Sequence, residues 1–228
     1  PLKDKGKAKN KSDLPGNLFL YPVRAVRRKN LGELALIAAS YPEKHFANSL
    51  GPTNPEFQPI FKRWEQFSNE INLPVTFALG EKTSVSFPEM VDHADGILST
   101  SIAEGFGLGF LEPWMSGKFL WGRNIPEITL DFSSLGINLN HLYQRININL
   151  EHLQNKGSLS SKIQTTLEKF FLEYKQEMPS NATDIAYQSM VQNDQVDFGR
   201  LDEVLQEEII LSISKSTEAR DEIRSQVK

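Results

Sequence analysis

The sequence predicts a doubly wound α/β domain, a parallel sheet with helices on both faces, followed by a helical C-terminal extension. Three observations lead to this reading. From Leu18 onward, short apolar runs alternate with longer amphipathic segments, as expected of strands that each feed a helix. Capping residues stand where those amphipathic segments begin. A glycine-rich turn, Ser101-Ile102-Ala103-Glu104-Gly105-Phe106-Gly107-Leu108, sits between a short apolar run and a helix start.

In chain order, residues 1–16 come first. Through Lys29 there are nine basic residues (Lys3, Lys5, Lys7, Lys9, Lys11, Arg24, Arg27, Arg28, Lys29) against Asp4 and Asp13. The early lysines alternate with Gly and Asn and lack aromatic stacking partners, so they read as a solvated connector and not as a nucleic-acid surface. A start at Pro1 and this low-complexity stretch give the expectation of the latter part of a longer protein.

Strands are expected at residues 18–21, 46–50, 75–79, 96–99 and 118–121. Between them, helices begin at Asn30 with Glu33, at Asn54 with Pro55, and at Ser86 with Glu89 as a capping box. Leu31, Leu34, Ala35 and Ala38 share one face of the first helix, and Phe57, Ile60, Phe61, Trp64, Phe67 and Ile71 form a stripe on the second. Those aromatics read as core. Past about residue 140 the strand signals fade, and helices are expected at 159–177 (with Ser161 and Gln164 as a cap), 183–192 and 200–214. Asp197-Phe198-Gly199 lacks every other protein-kinase element and is set aside.

Composition narrows the function. The 228 residues are 39% hydrophobic and 10% aromatic, enough for a folded core, and the net charge is -4. With no cysteine there is no disulfide or thiolate metal site, and His45, His93, His141 and His152 lack compact ligand spacing, so no metal is expected. Apolar runs fall short of the roughly 20 residues that span a bilayer. The expectation is a soluble, cytoplasmic protein.

Chemistry is concentrated in two strand-to-helix loops. In the first, Arg24, Arg27, Arg28 and Lys29 put four basic groups in six positions, and in a parallel sheet this loop opens on the same edge as the glycine turn. Arg24 and Lys29 are therefore expected to converge with Glu104, one as a bidentate guanidinium and the other as a point charge on a diphosphate. Arg27 and Arg28 read as solvated. In the second loop, Glu104 and Glu112 have seven residues between them, about two helical turns, too far apart to share one proton transfer. They are placed to hold opposite ends of an elongated ligand. The amides of Gly105, Phe106, Gly107 and Leu108 and the dipole of the following helix lie between, suited to negative charge.

At this point the residues match a family. The chain resembles the C-terminal, nucleotide-sugar-binding half of GT-B glycosyltransferases, the large retaining group of mannosyl- and glucosyltransferases. The match runs in order through Arg24, Lys29, Ala94-Asp95, Ser101, Glu104-Gly105-Phe106-Gly107, Glu112 (the E-x7-E motif), Gly117-Lys118 and Pro126-Glu127. It covers roughly residues 18–132. Pro113 stands where the family more often has Ala, so the helix is expected to start near Leu111 or to kink, and Thr100 stands where the family often has Pro.

The resemblance implies that residues 17–140 form a Rossmann-like donor-binding domain and 141–228 a helical extension. It implies Arg24 and Lys29 on the donor diphosphate, Glu112 on the ribose hydroxyls, and Glu104 with the amides of Phe106, Gly107 and Leu108 on the sugar. Catalytic weight then falls on Arg24, Lys29 and Glu104, with no cofactor and no metal, and hexose transfer from a nucleoside-diphosphate sugar. The partners implied are that donor and an N-terminal acceptor domain, through which the protein would be peripheral to a membrane. Without that domain the chain is expected to be inactive. Leu201, Leu205, Ile209, Ile210 and Leu211 are expected to be partly uncovered, since the last helix of such enzymes often crosses onto the partner domain. A dinucleotide-dependent oxidoreductase is disfavoured because Gly-x-Gly-x-x-Gly is absent after the first strand. A non-catalytic, scaffolding GT-B-like half is the alternative, against which the four site residues stand.

Overall fold

A computed structural model describes residues 14–228. The expected connector falls mostly outside them. Its end is shorter than expected, because Leu14 is buried in a core cluster and the Pro15 carbonyl accepts from His93 Nε2 at 2.9 Å.

Six strands form one sheet: β1 (Leu18–Arg24), β2 (His45–Leu50), β3 (Val75–Thr76), β4 (Gly96–Ser99), β5 (Leu120–Arg123) and β6 (Leu142–Tyr143). Their order is β3-β2-β1-β4-β5-β6, with every pair parallel. This is the doubly wound, Rossmann-like arrangement, in which the connections reverse direction between β1 and β4. In β1, Phe19 and Tyr21 join the larger core and Leu18 and Leu20 the smaller one on the opposite face, as strand alternation requires. Both faces are apolar because both are covered.

The connecting helices are α1 (Leu31–Ser40), α2 (Gln58–Glu70), α3 (Leu79–Lys82), α4 (Phe87–His93), α5 (Leu108–Met115) and α6 (Pro126–Ser134). Asn54 and Ser86 cap as expected: Asn54 Oδ1 accepts from the Glu56 N–H at 3.0 Å, and Glu89 accepts from the Ser86 N–H at 2.9 Å. The stripe on α2 is core, with Phe57, Phe61, Trp64 and Phe67 buried. The strand expected over 75–79 stops at Thr76, since Ala78 takes a left-handed conformation (φ 52°) and starts α3. Asn30 does not cap α1 with its side chain; it is itself left-handed (φ 48°).

The stretch expected to be a helical extension departs most from the sequence reading. It contains β6, which extends the main sheet past residue 140, and a small antiparallel sheet of β7 (Asn147–Asn149), β8 (Val191–Gln192) and β9 (Gln195–Asp197) in the order β7-β9-β8. Helices α7 (Gly157–Glu173), α8 (Ala182–Met190), α9 (Glu203–Ile213) and α10 (Thr217–Gln226) complete the chain. Ser161 lies inside α7, its hydroxyl donating to the Gly157 carbonyl at 3.2 Å, so it is not a cap. Leu201, Leu205, Ile209 and Ile210 are buried in the same core as all of the apolar residues of α1, which corrects the expectation for these four; Leu211 alone of the five is half-buried. Among the described residues, no helix is long and apolar enough to cross a membrane.

Candidate functional site

The loops after β1 and β4 lie side by side at the point where the strand connections reverse. Backbone and side chain tie them together: the Ile102 N–H donates to the Arg28 carbonyl at 2.9 Å, and Thr100 Oγ1 donates to the carbonyls of Lys29 at 2.9 Å and Asn30 at 3.2 Å. The Arg27–Lys29 segment is a single 3-10 turn ended by the left-handed Asn30. These contacts bring Lys29 and Glu104 together from 75 residues apart.

Lys29 Nζ donates to Glu104 Oε1, and each side chain is only 13% exposed. Ser101 Oγ donates to the same Oε1 at 2.5 Å, and the buried Tyr21 hydroxyl lies 2.6 Å from Ser101 Oγ. With the Ser101 proton committed to the carboxylate, the Tyr21 hydroxyl is the donor in that second bond. Burial raises the Glu104 carboxyl, but the hydrogen bonds from Lys29 and Ser101 and the charges of Lys29 and Arg28 outweigh it and hold the group below its ordinary value. Burial pushes the Tyr21 hydroxyl up, so it stays protonated.

Of the two basic residues expected to converge with Glu104, only Lys29 bonds to it; Arg24 bonds elsewhere. Arg24 is exposed and turns toward the loop after β2, donating through Nη1 to the Gly51 carbonyl at 3.0 Å. Gly51 is held in turn by Glu81, which accepts its N–H at 2.8 Å. Arg27 is exposed and pairs with Glu203 at 3.1 Å, in keeping with a solvated role.

Gly107 caps α5 with φ 71°, and a Cβ there would stand 2.2 Å from Ile128 Cγ2, so both conformation and packing require glycine. At Gly105 and Gly109 an added Cβ would meet nothing within 4 Å; the backbone there is open to approach. Phe106 (89% exposed) and Leu108 flank the open face. The α5 helix starts at Leu108 and not at Leu111, and Pro113 lies inside it, buried, two residues before its end. Glu112 is exposed in its second turn. First-turn amides of a helix have no carbonyl partner within it, so the start of α5 offers donors beside Glu104.

Beneath the two loops lies a polar network that the sequence reading did not identify. Glu33, in the first turn of α1, is fully buried and accepts from Arg123 Nε at 2.9 Å and Nη2 at 2.5 Å, from the Tyr143 hydroxyl at 2.7 Å and from Asn30 Nδ2 at 3.0 Å. Arg123, at the end of β5, also reaches both carboxylate oxygens of Asp197 at 2.9 Å. Gln206 Nε2 donates to Asn30 Oδ1 at 3.1 Å. Burial lowers the Arg123 guanidinium, but Glu33 and Asp197 override this and raise it. Glu33 was legible as a capping residue, and Asn30 does bond to it, yet its bidentate Arg123 partner lies 90 residues away.

Among the described residues there is no group of three or more His, Asp or Glu side chains arranged to hold a metal ion. No family model matches the chain. Among curated proteins it is similar to the mannosylglucosyl-3-phosphoglycerate synthase of Petrotoga mobilis, 28% identical over 117 residues, which is 51% of this chain and 23% of that protein. The chain thus aligns with about a quarter of that relative's length. Among solved structures it is similar to the C-terminal domain of a glycosyl transferase group 1 family protein from Francisella tularensis (17% identity, 84% of this chain and 96% of that chain, TM-score 0.45). It is also similar to sucrose-phosphate synthase from Thermosynechococcus elongatus (17% identity, 96% and 43%, TM-score 0.46).

Proposed function

We propose that this chain is the nucleotide-sugar-binding half of a retaining GT-B glycosyltransferase that moves a hexose from a nucleoside-diphosphate sugar to an acceptor held elsewhere. The observation behind this reading is the convergence of Lys29 and Glu104 at the reversal point of the sheet, beside the glycine-lined start of α5. A cation for phosphate, a carboxylate for sugar hydroxyls and open amides between them are the groups a nucleotide sugar needs. The motif order from Arg24 to Glu127 and the partial match to the Petrotoga mobilis synthase support the same class. Both sugars in that relative's name, mannosyl and glucosyl, are hexoses.

Cleavage of the glycosidic bond builds charge on the departing diphosphate. On this reading Arg24 and Lys29 neutralise it in place of a divalent metal, and the amides of Gly105, Phe106, Gly107 and Leu108 add fixed dipoles from the α5 end. Glu104 orients the sugar through its hydroxyls, and Glu112, a turn further along, takes the ribose diol. Loss of one such preorganised contact raises the barrier by about 3 kcal/mol. Acceptor binding and the rest of the cleft belong to a domain outside this chain, so this half does not turn over by itself.

The first test is a thermal-shift screen of UDP, GDP and ADP and their hexose conjugates. At 100 times its dissociation constant, a ligand that binds only the native state stabilises it by about 2.7 kcal/mol. One base is expected to raise the melting temperature in both its free and its sugar-bearing form. Failure of all of them at millimolar concentration would overturn the reading in favour of a scaffolding half.

A further inference from the structure

The two residues assigned to diphosphate and sugar are each other's partners. Lys29 Nζ bonds Glu104 Oε1 with both side chains 13% exposed, and a pair so closed presents no net charge to an anion. The two halves are anchored unequally. Glu104 is held by Ser101, which the buried Tyr21 hydroxyl fixes in turn. Lys29 is tied at its backbone, where Thr100 binds its carbonyl, and among the described residues its ammonium, on a four-carbon stem, bonds only to Glu104.

We propose that the Lys29–Glu104 ion pair is a latch that makes the site select a nucleotide sugar over the bare nucleoside diphosphate. The proposal rests on the donor-site reading above. A diphosphate draws the Lys29 ammonium off Glu104, and the carboxylate, still tethered by Ser101, then loses its bonded cation in a mostly buried setting and keeps only the charge of Arg28, which is unfavourable. Sugar hydroxyls relieve this by donating to Glu104. A nucleoside diphosphate without its sugar has no such donor, so Lys29 returns to Glu104 and the leaving group is displaced. The same exchange favours donor capture and product release.

The test is calorimetric titration with the tightest binder of UDP, GDP and ADP, and with its hexose conjugate, on the wild-type chain, Glu104→Gln, Lys29→Gln and the double variant. Glu104→Gln is expected to bind the nucleoside diphosphate about two- to five-fold more tightly, as for release of a modest ion pair, and to lose preference for the sugar conjugate. In the Lys29→Gln background the same change is expected to have little effect.

Unchanged or weaker diphosphate binding by Glu104→Gln would overturn the latch alone. So would a gain that persists undiminished in the Lys29→Gln background, because Glu104 would then act only by repelling phosphate. No binding of any nucleotide to the wild-type chain would overturn the donor-site reading and the latch together.

Discussion

Two donors, Lys29 Nζ and Ser101 Oγ, converge on one oxygen of Glu104. The arrangement depends on the loop that delivers it, and Gly107 is the residue on which that loop turns. Gly107→Ala forces a side chain into φ 71° and sets a methyl 2.2 Å from Ile128 Cγ2. The strain and overlap together are expected to cost about 2–4 kcal/mol in urea denaturation. Gly105→Ala, with open space around it, is expected to cost less than about 1 kcal/mol; equal losses at the two positions would show that the turn does not depend on Gly107. Lys29, Glu104 and Gly107 were legible because charge and glycine are conspicuous at a strand end. Tyr21 was not, and Ser101 was legible only as a motif position, since an aromatic in an apolar strand and a serine in a turn look like core and turn chemistry until the hydroxyls are seen to meet.

At the scale of elements, the buried cluster of Glu33 from α1, Arg123 from β5, Tyr143 from β6 and Asp197 from β9 joins the C-terminal segment to the main sheet. Arg123 sits between two carboxylates, and Asn30, at the entrance to α1, bonds to both Glu33 and Gln206. Arg123→Met removes the only cation in this bonded cluster and strands Glu33 and Asp197 as buried charges. The expected loss is about 3–5 kcal/mol in chemical denaturation. A loss below about 1 kcal/mol would mean that the cluster is not a junction.

The four longer strands β1, β2, β4 and β5 and the capped helices could be read from period and punctuation, and the two-residue β3 only as the start of the longer apolar run 75–79. The strands β6 to β9 could not, because two or three residues give no detectable alternation. One signal was available: Asn193 and Asp194 both have positive φ (51° and 57°) and form the two-residue hairpin between β8 and β9, a turn that Asn and Asp favour.

For the molecule as a whole, the sheet order places the loops after β1 and β4 next to each other, and that order is what brings a basic loop and an acidic, glycine-rich loop together. The fold class followed from the alternation of short and long segments. How the C-terminal helices pack did not. Leu205, Ile209 and Ile210 read equally well as a surface for a partner, and only their burial with α1 decides that they close this domain's own core. The central claim is that Arg24 and Lys29 bind a nucleoside diphosphate at this edge, Arg24 from the Gly51 side and Lys29 from the Glu104 side. The most direct test is calorimetric titration of the nucleoside-diphosphate hexose picked out by the thermal screen, the ligand for which Lys29 leaves Glu104, into the wild-type chain, Arg24→Ala and Lys29→Ala. The account predicts a bound nucleotide in the wild-type chain and a loss of about ten-fold or more in each variant, as for a charged hydrogen bond removed. Equal affinity in all three proteins would contradict it.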